Sequence, residues 1–107
     1  MQRYGITLPF DGVPLLEQED WVRELADRGY TDFWSAESGG CDAFTPLVLA
    51  ARWAPEARVG TAIVPAWTRG PATLASCALG LAEAAPGRAV LGIGSSSSVI
   101  VERWNAL

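Results

Sequence analysis

The sequence contains no histidine, no lysine and only two cysteines, Cys41 and Cys77. Without an imidazole, Ser-His-Asp or Cys-His catalysis and histidine-ligated metal sites are excluded. Two thiols without a Cys-x-x-Cys motif predict reduced cysteines, with neither a disulfide framework nor a metal site. The eight basic residues are all arginine and stand against twelve acidic residues, a net charge of −4. Proteins that bind nucleic acid normally carry a basic excess, so we expect no nucleic-acid partner.

Long hydrophobic runs are also missing. Residues 1–8 lack the apolar segment of a signal peptide, and no run approaches the roughly 20 residues of a membrane span. We therefore expect a cytoplasmic protein that does not contact a membrane. Half of the residues are nevertheless hydrophobic and 19% are charged, a composition that predicts a folded chain rather than a disordered one.

Short apolar runs and helical patterns alternate along the chain. Four runs predict β-strands, at residues 4–8, 32–36, 59–64 and 89–93. Apolar side chains recur at helical spacing between them. The first helical pattern ends at Gly29. The second begins at Thr45, whose hydroxyl is expected to cap the helix, and ends at Pro55. The third begins at Gly70 and ends at Pro86, and residues 99–104 look like the start of a fourth helix.

This alternation predicts an α/β fold with four parallel strands and three intervening helices, joined by right-handed crossovers. Two architectures fit the pattern: an open doubly wound sheet, or an arc of a (β/α)8 barrel. A whole barrel needs about 250 residues, so the chain would supply four of its eight strands. The helical pattern stops at Leu107 without a cap. We therefore expect residues 1–107 to form a single partial domain, the N-terminal half of a truncated TIM barrel.

In either architecture, ligands bind at the carboxyl ends of the strands. Glu37 follows the second strand, where it would serve either as an acid, base or hydrogen-bond acceptor or as a solvated loop residue. After the fourth strand, Gly92 and Gly94 are followed by four serines. This segment would either bind an anion through backbone N–H groups or simply form a serine-capped turn. It is not a dinucleotide fingerprint, because Ser97 replaces the third glycine, which weakens the reading as an open-sheet nucleotide-binding domain.

Three further features near the same ends admit two readings each. Residues 61–65 form either a core strand or an apolar wall for a flat ring. Arg69 would bind an anion or, as is commoner, pair with a carboxylate. Trp67 would either stack on a ligand or make an ordinary loop contact.

Seven segments taken together resemble a known family. Their order and spacing are similar to those of the bacterial luciferase-like monooxygenase superfamily, and especially of its coenzyme F420-dependent oxidoreductases. The segments are residues 4–9 (YGITLP), 33–37 (FWSAE), 42–46 (DAFTP), 60–64 (GTAIV), 68–71 (TRGP), 86–94 (PGRAVLGIG) and 102–105 (ERWN).

The resemblance implies a TIM barrel that binds coenzyme F420, or alternatively FMN, at the carboxyl ends of its strands. It places Glu37 as the catalytic residue beside the cofactor or the substrate, although Ser38 stands where members often have a histidine. It also implies a cis peptide bond between Ala62 and Ile63 that backs the cofactor ring. Further cofactor contacts are implied for Gly94, Ser95, Ser96 and Ser97.

The implied activity is hydride transfer between a deazaflavin or flavin and a small organic substrate, or else flavin-dependent oxygenation. The later loops of the family's barrel are absent here, so we expect the isolated chain to lack a complete site. The alternative is a non-catalytic half-barrel fragment that associates with itself. We expect a homo-oligomer in either case, because an open arc exposes unpaired strand edges and apolar surface.

Overall fold

The computed structural model describes residues 2–107, and short strands alternate with helices along them. The strands are β1 (Gly5–Leu8), β2 (Asp32–Ser35), β3 (Arg58–Thr61), β4 (Val64–Pro65), β5 (Ala89–Val90) and β6 (Ile93–Gly94). The helices are α1 (Glu19–Asp27), which follows a 3-10 turn at Leu15–Gln18, α2 (Phe44–Trp53) and α3 (Pro71–Ala84). A π-helical segment, Val99–Trp104, follows β6. None of the helices in this part of the chain is long and apolar enough to cross a membrane.

The main sheet is parallel, with the strand order β1-β2-β3-β5. This order never reverses along the chain, and right-handed crossovers then place every connecting helix on the same face of the sheet. A doubly wound sheet needs a reversal of strand order so that helices cover both faces. The structure therefore selects the barrel-arc architecture and excludes the open doubly wound sheet.

The third and fourth predicted strands are each broken in two, which the sequence pattern did not indicate. Thr61 explains the break, because its side chain takes the place of the backbone ladder. Its hydroxyl both donates to the carbonyl of Gly92 and accepts the N–H of Gly92, at 2.8 Å each. Beyond this point β4 and β6 pair as a separate two-stranded parallel sheet. The Ala62–Ile63 peptide bond lies between β3 and β4 and is cis, as the family resemblance implied.

The two faces of the main sheet differ in character. One face packs under the helices, where Ile6, Phe33, Val59 and Ala89 form a row across the four strands. Trp34 lies on the other face, half-buried, with its ring across two glycines of the neighbouring strands. The inner face of the arc therefore carries a large aromatic side chain that no helix covers.

Local signals account well for the helix ends, with one exception. Gly29 has a φ of +105° and ends α1, with the N–H of Tyr30 donating to the carbonyl of Leu25, as in a Schellman motif. The prediction that Thr45 caps α2 is wrong. The cap is Asp42, whose carboxylate accepts the N–H groups of Phe44 and Thr45 at 3.0 and 3.1 Å. A carboxylate binds free N–H groups at a helix start more strongly than a hydroxyl does.

Candidate functional site at the carboxyl ends of the strands

The carboxyl ends of the parallel strands form one rim that brings together three of the predicted site segments. The carbonyl of Ser35 accepts the N–H of Ala62 at 2.7 Å, which places Glu37 beside the end of β3. The side chain of Ile63 lies against Gly94, since a Cβ built on that glycine would be 2.8 Å from the Ile63 Cδ1 atom. The cis Ala62–Ile63 segment between β3 and β4 is called the Ala62–Ile63 bulge below. Glu37, this bulge and the start of the serine segment thus share the same end of the sheet.

Glu37 does not project freely from this rim but is paired with Arg69. The two guanidinium nitrogens donate to the two carboxylate oxygens, at 2.7 Å and 2.5 Å. The backbone N–H of Ala43 donates to the same carboxylate at 3.0 Å. Both side chains are largely buried, with 16% of Arg69 and 18% of Glu37 exposed. The guanidinium carbon of Arg69 lies 5.2 Å from the ring centre of Phe44, within cation–π range.

This pairing determines the charge of Glu37. Burial alone raises the pKa of its carboxyl, and the nearby Asp42 acts in the same direction. Hydrogen bonds from Arg69 and Ala43 outweigh both, so the pKa lies below the ordinary glutamate value. The Glu37 hydrogen bond in turn raises the pKa of Arg69 against the effect of burial. At neutral pH the pair is therefore an ionised carboxylate held by a permanent cation.

A cavity of about 430 Å³ opens at this part of the rim. Glu37 and Arg69 line it together with the loop that follows β2, and the ring of Trp104 lies over Gly39 at its edge. The hydroxyl oxygen of Thr68 is buried here and has no hydrogen-bond partner among the described residues. A ligand with a hydrogen-bonding group would satisfy this atom.

The serine segment lies at the same rim but does not line this cavity. The Ser97 hydroxyl accepts the N–H of Ile100 at 3.4 Å, so the simpler reading of a serine-capped turn is present in the structure. Ser96 adopts a φ of +61° at this turn. Ser95 and Ser97 are exposed, which leaves their hydroxyls accessible to a ligand. The cofactor contacts of Gly94, Ser95, Ser96 and Ser97 stay a prediction, as do those of Ala62 and Ile63.

Sequence reasoning assigned no site role to Thr68 or Trp104, and it left Arg69 between an anion site and a pair with a carboxylate. Arg69 did carry a signal, because the commoner of its two readings was a pair with a carboxylate. The partner could not be named from the sequence, since Glu37 is 32 positions away. Thr68 and Trp104 reach the cavity through loop and helix geometry that the hydrophobic pattern does not encode.

The one-sided helices, the unreversed strand order and the shared rim define part of a parallel (β/α) barrel. The family model of the luciferase-like monooxygenases matches residues 3–107. The chain therefore belongs to the luciferase-like monooxygenase family.

Two Mycobacterium tuberculosis proteins are similar in sequence. One is named "Putative coenzyme F420-dependent oxidoreductase Rv3520c" and is 32% identical over 103 residues, which cover 95% of this chain and 30% of that protein. The other, the uncharacterized protein Rv1360, is 33% identical over 89 residues, which cover 83% of this chain and 26% of that protein. The chain thus spans less than a third of the length of these relatives.

Solved structures support the fold. The coenzyme F420-dependent tetrahydromethanopterin reductase of Methanopyrus kandleri matches with a TM-score of 0.81 at 23% identity, covering 98% of this chain and 30% of that one. The oxygenating constituent of the Pseudomonas putida 3,6-diketocamphane monooxygenase, in complex with FMN, matches with a TM-score of 0.75 at 18% identity, covering 98% and 33%. The structure thus corresponds to the N-terminal part of a TIM barrel, as predicted.

Proposed function

We propose that this chain is the N-terminal part of an oxidoreductase that transfers hydride between coenzyme F420, or alternatively FMN, and a small organic substrate. The observation that carries the proposal is the shared rim of Glu37, the Ala62–Ile63 bulge and Gly94 in a chain of the luciferase-like family. F420 is placed first because the similar Rv3520c protein is named for it, and FMN is kept because the matched monooxygenase was solved with it.

The residues at the rim suit a flat ring system with a polar tail. Ala62 is exposed, Ile63 is partly exposed and Ile93 is 49% exposed, so apolar surface is open just after β3 and at the start of β6. The exposed hydroxyls of Ser95 and Ser97 follow directly after β6. Apolar walls with a few polar groups are typical of cofactor sites.

Each of these groups has its own proposed role. The Ala62–Ile63 bulge backs the ring, the segment from Gly94 to Ser97 binds the polar tail through N–H groups and hydroxyls, and the Glu37 carboxylate accepts a hydrogen bond from the ligand. The chemistry that a bound deazaflavin or flavin supplies is hydride transfer.

Separate titrations of the full chain with F420 and with FMN, followed by fluorescence, test the proposal. We expect one of the two to bind, and the double change Ser95→Ala and Ser97→Ala to weaken its binding by about tenfold, or roughly 1.4 kcal/mol. Ser76→Ala on the exposed side of α3 is the matched control and should leave binding unchanged. Failure of both cofactors to bind would refute the proposal for this chain.

A second candidate is a non-catalytic half-barrel that associates with itself. The uncovered inner face of the sheet, where Trp34 lies, favours it. A chain that binds neither cofactor but forms a stable oligomer would support this candidate over the first.

A further inference from the structure

The pair of Arg69 and Glu37 differs from the other arginine–glutamate pairs in the described part of the chain. Arg23–Glu19 lies within α1 and Arg28–Glu24 at its C-terminal end; in each pair the residues are four positions apart and at least 43% of every side chain is exposed. Such pairs contribute little to stability and do not fix a side chain. Arg69 and Glu37 are 32 residues apart, are less than a fifth exposed and meet through two parallel hydrogen bonds.

We infer that Arg69 is a positioning residue for Glu37: its guanidinium holds that carboxylate ionised and fixed across the rim. Glu37 then acts as a hydrogen-bond acceptor towards a ligand and not as a proton donor. The role towards a ligand rests on the proposed function, whereas the pairing of the two residues does not.

The geometry restrains the carboxylate from three elements. Glu37 follows β2, Ala43 donates from the start of α2, and Arg69 comes from the loop that leads into α3. A planar guanidinium that donates twice fixes both the position and the plane of a carboxylate. Phe44 supports the other partner, because Arg69 lies over its ring.

The charged and titratable groups around the pair make the ionised state of Glu37 depend on Arg69. Asp42 lies close to both partners, and its negative charge opposes ionisation of Glu37. The Cys77 thiol of α3 lies beside Arg69. With two carboxylates near one guanidinium, loss of Arg69 would leave Glu37 partly buried next to Asp42, which favours its protonated form.

The pH titration of the Glu37 carboxyl carbon in the ¹³C-labelled full chain tests the inference, with Glu37→Gln used for assignment. We expect the wild-type carboxyl to titrate below the ordinary glutamate range. Arg69→Met should move the titration upward, and Arg69→Lys should restore it in part, because lysine keeps the charge but loses the double hydrogen bond. Arg28→Met is the control, because it removes the arginine that pairs with the exposed Glu24. It should leave the titration of Glu37 unchanged.

An ordinary or raised titration of Glu37 in the wild-type chain would overturn the inference, even if Arg69→Met does not fold. An unchanged titration in folded Arg69→Met would also overturn it. Binding of F420 or FMN is measured separately on the same samples. If Glu37 titrates below the ordinary glutamate range but neither cofactor binds, the proposed function is refuted and the role of Arg69 is supported. If a cofactor binds but Glu37 titrates in the ordinary range, the proposed function is supported and the role of Arg69 is refuted.

Discussion

At the scale of single residues, Trp34 needs two glycines to lie flat on the inner face of the sheet. A Cβ built on Gly60 would be 2.6 Å from Cζ3 of Trp34 and 2.9 Å from Cβ of Val90. We expect Gly60→Ala to lower the free energy of unfolding by about 1–3 kcal/mol, because the ring has to move away. Urea unfolding measures the change.

Gly80 provides the matched control for this substitution. It lies on the exposed side of α3, and an added Cβ there meets no atom within 4 Å. Gly80→Ala should be neutral or stabilising by up to about 1 kcal/mol, since alanine favours helix. Equal effects of the two substitutions would show that Trp34 does not require the glycine.

Asp32 makes the stability of the chain depend on pH in the acid range. Only 4% of its side chain is exposed. Burial raises its pKa, but hydrogen bonds from Arg3, Thr31 and Arg58 outweigh this and lower the pKa from 3.8 to about 2. The pKa of Asp32 is lower in the folded chain than in the unfolded chain. The contribution of its carboxylate to the free energy of unfolding is therefore complete above pH 4 and is lost as the pH falls towards 2.

We therefore expect Asp32→Asn to destabilise the chain at pH 6 by on the order of 2 kcal/mol, and by much less at pH 2. Urea unfolding of both variants across this pH range measures the difference. Asp11→Asn, at an exposed loop position, is the control and should have little effect at either pH. A difference between wild type and Asp32→Asn that stays constant from pH 6 to pH 2 would contradict this account.

Single residues also show where prediction from the sequence ends. The place of Glu37 at the rim followed from the strand pattern, because parallel strands carry their sites at the carboxyl ends. The pairing of Glu37 with Arg69 could not be predicted from the strand pattern, because the pairing depends on how two loops meet across β3. Trp34 lies half-buried on the inner face and Trp53 is buried, and the apolar pattern of the sequence does not distinguish these two positions.

At the scale of elements, the sequence indicated which segments are helices and strands, but not where the later strands break. Capping and stop signals are local, so the glycine end of α1 and the Gly70–Pro71 start of α3 were predictable. The break between β3 and β4 depends on the contact of Thr61 with Gly92, 31 residues away. An apolar run carries no information about such a contact.

Arg88 connects two elements at the amino ends of the strands. Its guanidinium donates to the carbonyls of Ala51, Ala54 and Ala57 at the end of α2 and in the turn that follows, at 3.3, 3.2 and 2.6 Å. We expect Arg88→Met to destabilise the chain by about 1–3 kcal/mol, because these buried acceptors lose their charged donor. Chemical denaturation measures this loss.

Arg52 is the control for this prediction because it is an exposed arginine in the last turn of the same helix. Arg52→Met should cost less than about 1 kcal/mol, the typical interaction of one exposed charge with a helix end. If both substitutions cost the same, the contribution of Arg88 would be a general charge effect and not one of its hydrogen bonds.

At the scale of the whole molecule, the same arrangement that forms the rim leaves one face of the sheet uncovered. Strand order without reversal places the helices on one side only, so the inner face with Trp34 and Val90 has no layer over it in residues 2–107. The outer strands β1 and β5 each have one neighbour within the main sheet. Open strand edges beside apolar surface favour association with another chain.

We therefore expect the 107-residue chain to associate with itself through the inner face and its edges. Light scattering after gel filtration at micromolar concentration should give a multiple of the 11.4 kDa monomer mass. Thr7 lies exposed on β1 in register with Trp34, so Thr7→Lys places a charge on the edge and should shift the chain towards the monomer. Ala75→Lys on the exposed side of α3 should not. Dissociation by Ala75→Lys alone would place the interface on the helices, and a monomeric wild-type chain would refute association altogether.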